Sequence, residues 1–211
     1  EARSRFRWVY GLLMGVALLS LVRHMGSPES GALAVGGAAL CSWLACLGVN
    51  GHLYSLPEIA LLSGQGATVP QALLLLGAGP LVLATRHYSG LSKSAPEWSV
   101  RAAWRGGLLV LAAMVALFAL AGQGVVMLQW IAWSGYALAV LACAAMLLMD
   151  ARSYRWGPLL GLLGLCVAIG LRVAADRQLL PASWATLHGW QLLLAITLVL
   201  YLALPWLRSL L

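Results

Sequence analysis

Charge is what this chain has least of. Charged side chains make up 9% of its 211 residues, and only 6 are acidic. A soluble domain is about 25% charged, so a water-facing globule is excluded. Cysteine is also sparse. Cys41, Cys46, Cys143 and Cys166 form no CxxC pair and fall within apolar runs, which excludes a zinc-ribbon spacing and gives no disulfide framework. They read as buried, inert thiols. There is no HExxH, no phosphate-binding glycine loop, no carboxylate pair and no Ser–His–Asp set. The chain is therefore read as having no catalytic set of its own and no cofactor. Segments of about ten residues that alternate polar with apolar are absent too, which argues against a transmembrane barrel. No signal-peptide cleavage site is visible.

What is present is apolar length. The composition is 62% hydrophobic, with a mean hydropathy of +0.90. Seven apolar stretches approach the roughly 20 residues that cross about 30 Å of hydrocarbon. They cover about 8–22, 32–49, 69–85, 105–121, 126–149, 157–174 and 188–207. The first and third are short for a span and are expected either to borrow flanking residues or to lie little tilted. At membrane depth the backbone must pair within its own segment, so helices are the expected spans. The fold class that follows is all-α: a polytopic integral membrane protein, a single domain of seven transmembrane helices in a bundle.

The net charge of +7 resembles that of a nucleic-acid binder, but the basic residues sit at span ends, where orienting charges belong. No nucleic-acid partner is expected. With the N-terminus outside, the inner segments carry Arg23; Arg86, Lys93, Arg101 and Arg105; Arg152 and Arg155; and Arg208. The outer loops carry Arg172 and Arg177, and 51–68 has no Lys or Arg. An N-out, C-in orientation follows. Arg3, Arg5 and Arg7 violate it locally, which is tolerable if a large domain precedes them; the chain is expected to be one piece of a longer protein. In loop 51–68 the LPEIALL piece reads as a short interfacial helix. The basic stretch 86–105 reads as an amphipathic segment on an anionic surface. Trp8, Tyr10, Trp98, Trp104, Trp130, Trp156 and Trp184 fit interfacial aromatic belts.

Six residues share the expected outer rim: His52, Tyr54, Glu58, Arg172, Asp176 and His188. Arg172 and Asp176 stand four apart, on one helix face. The rim either lines a ligand pocket or contacts an outer sensor domain; the plainer reading is an interfacial ion pair beside solvated loops. His24 and His87 fall near the inner ends, His52 and His188 near the outer. None has a second ligand at helical spacing, so no metal site is assigned. Ser42, Gln129, Ser134, Gln191 and Thr197 enter the bundle as polar contacts between helices. Gly11 and Gly15 form a GxxxG, and Gly157, Gly161 and Gly164 line one region of the sixth span; these serve close packing within the bundle or a homodimer. Pro205 lacks an amide hydrogen and disfavours continued helix, so a joint is expected just before Trp206 and Arg208, which anchor at the inner surface.

Several local features, in order, resemble one bacterial family. They are YGLLMGVALLSLVRH in the first span, LGVNGHLYSLPE closing the second, LATRHYSGLSKSAPEW after the third, MDARSYRWGPLLGLLGLCVAIGL into the sixth, and LRVAADRQLLPASWATLHGWQLLLAITLVLYLAL into the seventh. Together they resemble the seven-helix membrane module of receptors with diverse intracellular signalling modules (7TMR-DISM). The resemblance implies a sensor of the bacterial inner membrane. It would relay an extracytoplasmic signal to a cytoplasmic output domain of histidine kinase or diguanylate cyclase type, acting in two-component or cyclic di-GMP signalling. Gln191, Pro205, Trp206 and Arg208 would carry that transmission. Its partners would be the lipid bilayer, an outer sensor domain and the output domain. Two other readings stand beside it: a small-molecule transporter or carrier, and a membrane scaffold subunit with heme-ligating histidines.

Overall fold

The computed structural model of the chain describes residues 2–26, 30–55, 68–89, 125–149 and 156–210. They form six α-helices and one short 3-10 turn at Leu53–Ser55. The helices are α1 (Ala2–Gly26), α2 (Ser30–Val49), α3 (Thr68–Tyr88), α4 (Val125–Leu148), α5 (Trp156–Asp176) and α6 (Trp184–Leu210). No strand occurs among the described residues. All six helices are long and apolar enough to cross a membrane, as expected of an all-helical, multi-pass membrane protein. The expected span at 105–121, the LPEIALL piece and most of the basic stretch 86–105 lie outside the described residues.

The short first and third stretches do gain length at their ends. α1 begins at Ala2 and α3 runs to Tyr88. Arg3, Arg5 and Arg7 thus belong to the first turns of α1 rather than to a tail. Hydropathy stops at a charge, whereas arginine is a good helix former and the backbone continues through it. α6 likewise starts at Trp184, four residues before the expected span. Its start is a reciprocal cap: the Thr186 amide donates to Ser183 Oγ at 3.2 Å, and the Ser183 amide donates to Thr186 Oγ1 at 2.9 Å. Each hydroxyl takes up a donor the first turn would leave unpaired.

The helices form a ring in which α1 packs on α2, α2 on α3, α3 on α4, α4 on α5, α5 on α6 and α6 on α1, with α2 and α6 also touching. Contacts fix their directions. Tyr10, Asn50 and Gln191 meet at one end of the bundle, where Gly48 also meets Pro70 and Gln129 meets Asp176. Thr85 and Tyr201 meet at the other. So α1, α3, α4 and α6 run from the Asn50 end to the Thr85 end, and α2 and α5 run back. The neighbours α3 and α4 are therefore parallel, as are α1 and α6.

Leucine faces both ways, buried at Leu13, Leu81, Leu162 and Leu194 and exposed at many other positions, while the inner face of α2 is built from small residues. Leu18, Leu40, Leu138, Leu160 and Val167 are exposed, while Ala32, Ala38, Ala39, Ala45 and Cys46 of α2 are buried. Lipid is as apolar as leucine, so helices in it associate by close packing rather than by hiding leucine. A Cβ placed on Gly48 would lie 2.7 Å from Pro70 Cγ, and one on Gly161 would lie 2.8 Å from Thr197 Oγ1. Gly31 packs against the His87 ring in the same way. Gly157 and Gly164 also line the α5–α6 contact, whereas Gly11 and Gly15 meet nothing within 4 Å. Of the two uses the sequence leaves open for that GxxxG, contact within the described bundle is not made. All four cysteines are free thiols.

The five polar side chains expected inside the bundle divide by reach. Ser42 donates to Ala38 O, Ser134 to Ile131 O and Thr197 to Leu193 O, each within its own helix. Short hydroxyls satisfy themselves this way. The longer Gln129 and Gln191 cross to neighbouring helices.

Candidate functional site

The Asn50 end gathers most of the described polar contacts between helices. α2 ends at Val49, and Gly51 turns the chain with φ of 77°. That left-handed angle favours glycine, and it leaves Asn50 just past the helix end, close to α1 and α6. Its amide donates to Tyr10 Oη at 2.8 Å and to Gln191 Oε1 at 3.2 Å, and Gln191 Nε2 donates back to Asn50 Oδ1 at 3.3 Å. Gln191 is wholly buried. The paired amides satisfy each other where water is excluded. His52 stands edge-on to Tyr10, with ring centroids 5.8 Å apart.

A second cluster joins α4, α5 and α6. Arg172 Nε donates to Asp176 Oδ2 at 3.1 Å, and its Nη1 donates to Leu187 O at 2.9 Å. The same carbonyl accepts Trp190 Nε1 at 3.2 Å. Trp190 meets Trp133 of α4 at 5.1 Å, nearly perpendicular, the edge-to-face arrangement that ring quadrupoles favour. Gln129 Nε2 reaches Asp176 Oδ2 at 3.5 Å, a long bond. Arg177 stacks on Trp130, its guanidinium carbon 4.0 Å from the ring centroid, a cation–π contact worth about 0.5–1 kcal/mol when exposed. Just beyond, Gln178 takes a φ of 59°. Leu179 N then bonds Ala174 O and Gln178 N bonds Ala175 O, both at 3.0 Å, closing α5 with a Schellman turn.

These side chains bound a small pocket of about 180 Å³, lined by Gln129, Trp130, Trp133, Val173, Asp176 and Arg177. Ligand pockets of drug size hold about 300–1,000 Å³. This one matches a single side chain or a molecule of a few atoms. One arginine, Arg177, and one carboxylate, Asp176, line it beside two indole rings, so its two charges balance. A small polar group that pairs with either fits that chemistry.

The expected rim residues fall as follows. Arg172 and Asp176 form the expected ion pair. His188 lies beside Trp184, with ring centroids 6.3 Å apart, on the turn of α6 that also carries Leu187. His52 is at the same end, on the α1–α2 side. Tyr54 lies in the 3-10 turn, its side chain outside the described set, and Glu58 is outside the described residues. Gln191 sits at the Asn50 end of α6, and Pro205 is accommodated within α6 near the other end. Trp206 and Arg208 continue that helix, their side chains outside the described set. His87 Nδ1 lies 3.3 Å from Ser30 Oγ at the Thr85 end. Among the described residues, no three His, Cys, Asp or Glu side chains come together as a metal site. Sequence reasoning missed Asn50, Trp133 and Trp190. The Asn50–Gly51 pair reads as a turn signal, which masks the amide's second use.

Comparison of the chain with protein-family models, with curated proteins and with solved structures finds no match.

Proposed function

We propose that the chain is a signal-transducing seven-helix module of the bacterial inner membrane, N-terminus outside and C-terminus in the cytoplasm, of the kind its sequence resembles. The observation that carries this reading is the place of α6, which touches each of the other five described helices. Gln191 bonds Asn50 at the end of α2, Trp190 packs on Trp133 of α4, and Thr197 packs on Gly161 of α5. Tyr201 bonds Thr85 of α3, and Leu202 O accepts Arg23 of α1. A helix held along its length by every neighbour transmits a shift at one end to the other, because close-packed interiors move between discrete arrangements rather than yield smoothly. The paired amides of Asn50 and Gln191 fit one register of α2 against α6, and sliding breaks both bonds.

The directions of α3 and α4 support the seventh crossing. Two successive parallel spans need a return between them, and the apolar stretch at 105–121 has the composition to supply it. With seven crossings the two ends of the chain fall on opposite sides. The Asn50 end is then the outer, sensing end. The small size of the pocket favours contact with one side chain of an outer sensor domain, or a ligand of few atoms, over a large metabolite. The signal must bind two packings of the bundle with different affinity. It would leave through Pro205, Trp206 and Arg208 to a kinase or cyclase domain.

Two measurements test this. A cysteine in place of Ser55 should react with a membrane-impermeant maleimide on intact spheroplasts; reaction only after permeabilisation reverses the orientation and removes the receptor reading. In the gene product carrying this chain, Arg172→Ala should change autophosphorylation or cyclic di-GMP synthesis while membrane insertion stays normal. Output that matches the unmodified protein in both assays leaves Arg172 a structural ion-pair partner only.

A further inference from the structure

The pocket of about 180 Å³ between α4 and α5 holds two opposite charges that do not satisfy each other. Among the described residues, Asp176 pairs with Arg172 through Oδ2 and not with Arg177. Gln129 Nε2 reaches the same oxygen. Asp176 Oδ1 and Gln129 Oε1 take no bond from a described residue. Arg177 lies over the Trp130 ring, a contact that draws on its charge and leaves its five N–H donors to other partners. No described residue accepts from them. The backbone adds no acceptor, because the turn that closes α5 takes up the carbonyls of Val173, Ala174 and Ala175. Asp176 also stands at the carboxyl end of α5, where the helix dipole disfavours an anion and favours a cation beside it.

We propose that this pocket binds a small zwitterionic α-amino acid, its carboxylate on the Arg177 guanidinium and its ammonium on Asp176 Oδ1 and Gln129 Oε1. A planar fork of N–H donors suits a carboxylate. Two separated charges of opposite sign favour a ligand that carries both, since a simple anion or cation answers one and leaves the other. The open acceptors call for hydrogens on the cationic end. A trimethylammonium would leave both acceptors unpaired, and the Trp130 ring that would attract it is covered by Arg177. Size limits the side chain. The volume is that of about six waters of the liquid, and Val173 and Trp133 form the apolar part of the wall. Glycine and alanine fit; leucine does not. Asp176 and Arg177 are exposed at the end of the bundle, so a hydrated ligand enters without crossing hydrocarbon. The inference names the ligand class of the rim pocket and rests on the receptor reading for its place outside the membrane, whereas binding itself needs no output domain.

The test is isothermal titration calorimetry of the purified full chain in micelles, with alanine as the probe. Acetate and ethylammonium each forfeit one charged contact, so alanine should bind about tenfold more tightly than either. Glycine betaine and leucine should bind more weakly than alanine as well. Arg177→Gln should lower alanine to the level of ethylammonium, and Arg177→Lys should keep part of the difference. Val173→Leu, which narrows the pocket without touching either charge, should weaken alanine. No saturable binding of alanine overturns the proposal, as does equal binding of alanine and either half-molecule, or alanine binding that survives Arg177→Gln. Should Arg177→Gln fail to fold, Val173→Leu decides: unchanged alanine binding overturns it. Output assays keep the two readings apart. Alanine binding that depends on Arg177 while kinase or cyclase output stays unmoved upholds the site and counts against the receptor. Absent binding beside an output change from Arg172→Ala does the reverse.

Discussion

Gly48→Val is expected to destabilise the bundle by about 1–3 kcal/mol, the usual consequence of overpacking a filled interior. The first added carbon lies 2.7 Å from Pro70 Cγ and 3.1 Å from its Cβ. A proline ring has no side-chain torsion with which to move away, so α2 and α3 must separate. Gly161→Ala meets a softer obstacle, since the nearest atom is a threonine hydroxyl. Gly11→Ala meets nothing within 4 Å and should gain up to about 1 kcal/mol from helix propensity. Denaturant titration of the three variants in micelles orders them. If Gly48→Val matches Gly11→Ala in midpoint, the close approach of α2 and α3 is not as described.

Gln191→Leu should be the most damaging polar-to-apolar change. It removes both amide bonds to Asn50, at 3.2 and 3.3 Å. Bonds between helices in membranes are worth about 0.6 kcal/mol on average and about 1.7 at most. Stranding a buried amide adds a desolvation cost of about 1–3 kcal/mol. Tyr10 still accepts one Asn50 donor at 2.8 Å, so the loss should fall near 2 kcal/mol. Asn50→Leu combined with Gln191→Leu should recover much of the stability, because no amide is then left unmatched. The double variant is also informative for signalling: the bundle is intact while the register of α6 on α2 is no longer pinned. Altered basal output with normal stability fits transmission along α6. A double variant as unstable as the sum of its single changes rules out the paired-amide account.

Hydropathy located the six described helices because burial in lipid is written residue by residue. It placed their ends less well. At Arg3, Arg5 and Arg7 it stopped where the helix continues, and at Ser183 it passed over a cap formed by two small hydroxyls. The Arg172–Asp176 pair was legible because its geometry is local, one helical turn. Asn50 and Gln191 were not, since 141 residues separate them and neither spacing nor hydropathy encodes which faces meet. The glycines show the same limit. GxxxG at Gly11 and Gly15 looks like a packing motif yet faces open space, while Gly48, in no such motif, meets Pro70. Small size permits contact; only the rotation of a helix against its neighbours decides where it occurs.

The central place of α6 also sets a timetable for making the protein. Asn50 leaves the ribosome 141 residues before Gln191, a gap of about 7–28 s at roughly 5–20 residues per second. Thr85 similarly precedes Tyr201 by 116 residues. Through that interval the earlier spans sit in the membrane with the surfaces meant for α6 uncovered, and their polar groups must be shielded by the insertion machinery, by lipid headgroups or by temporary pairings with one another. A nascent chain halted before Trp184 would hold every other described helix and still lack the one that locks them. Damage to α6 should therefore surface as early degradation by membrane proteases, well before any loss of activity could be measured.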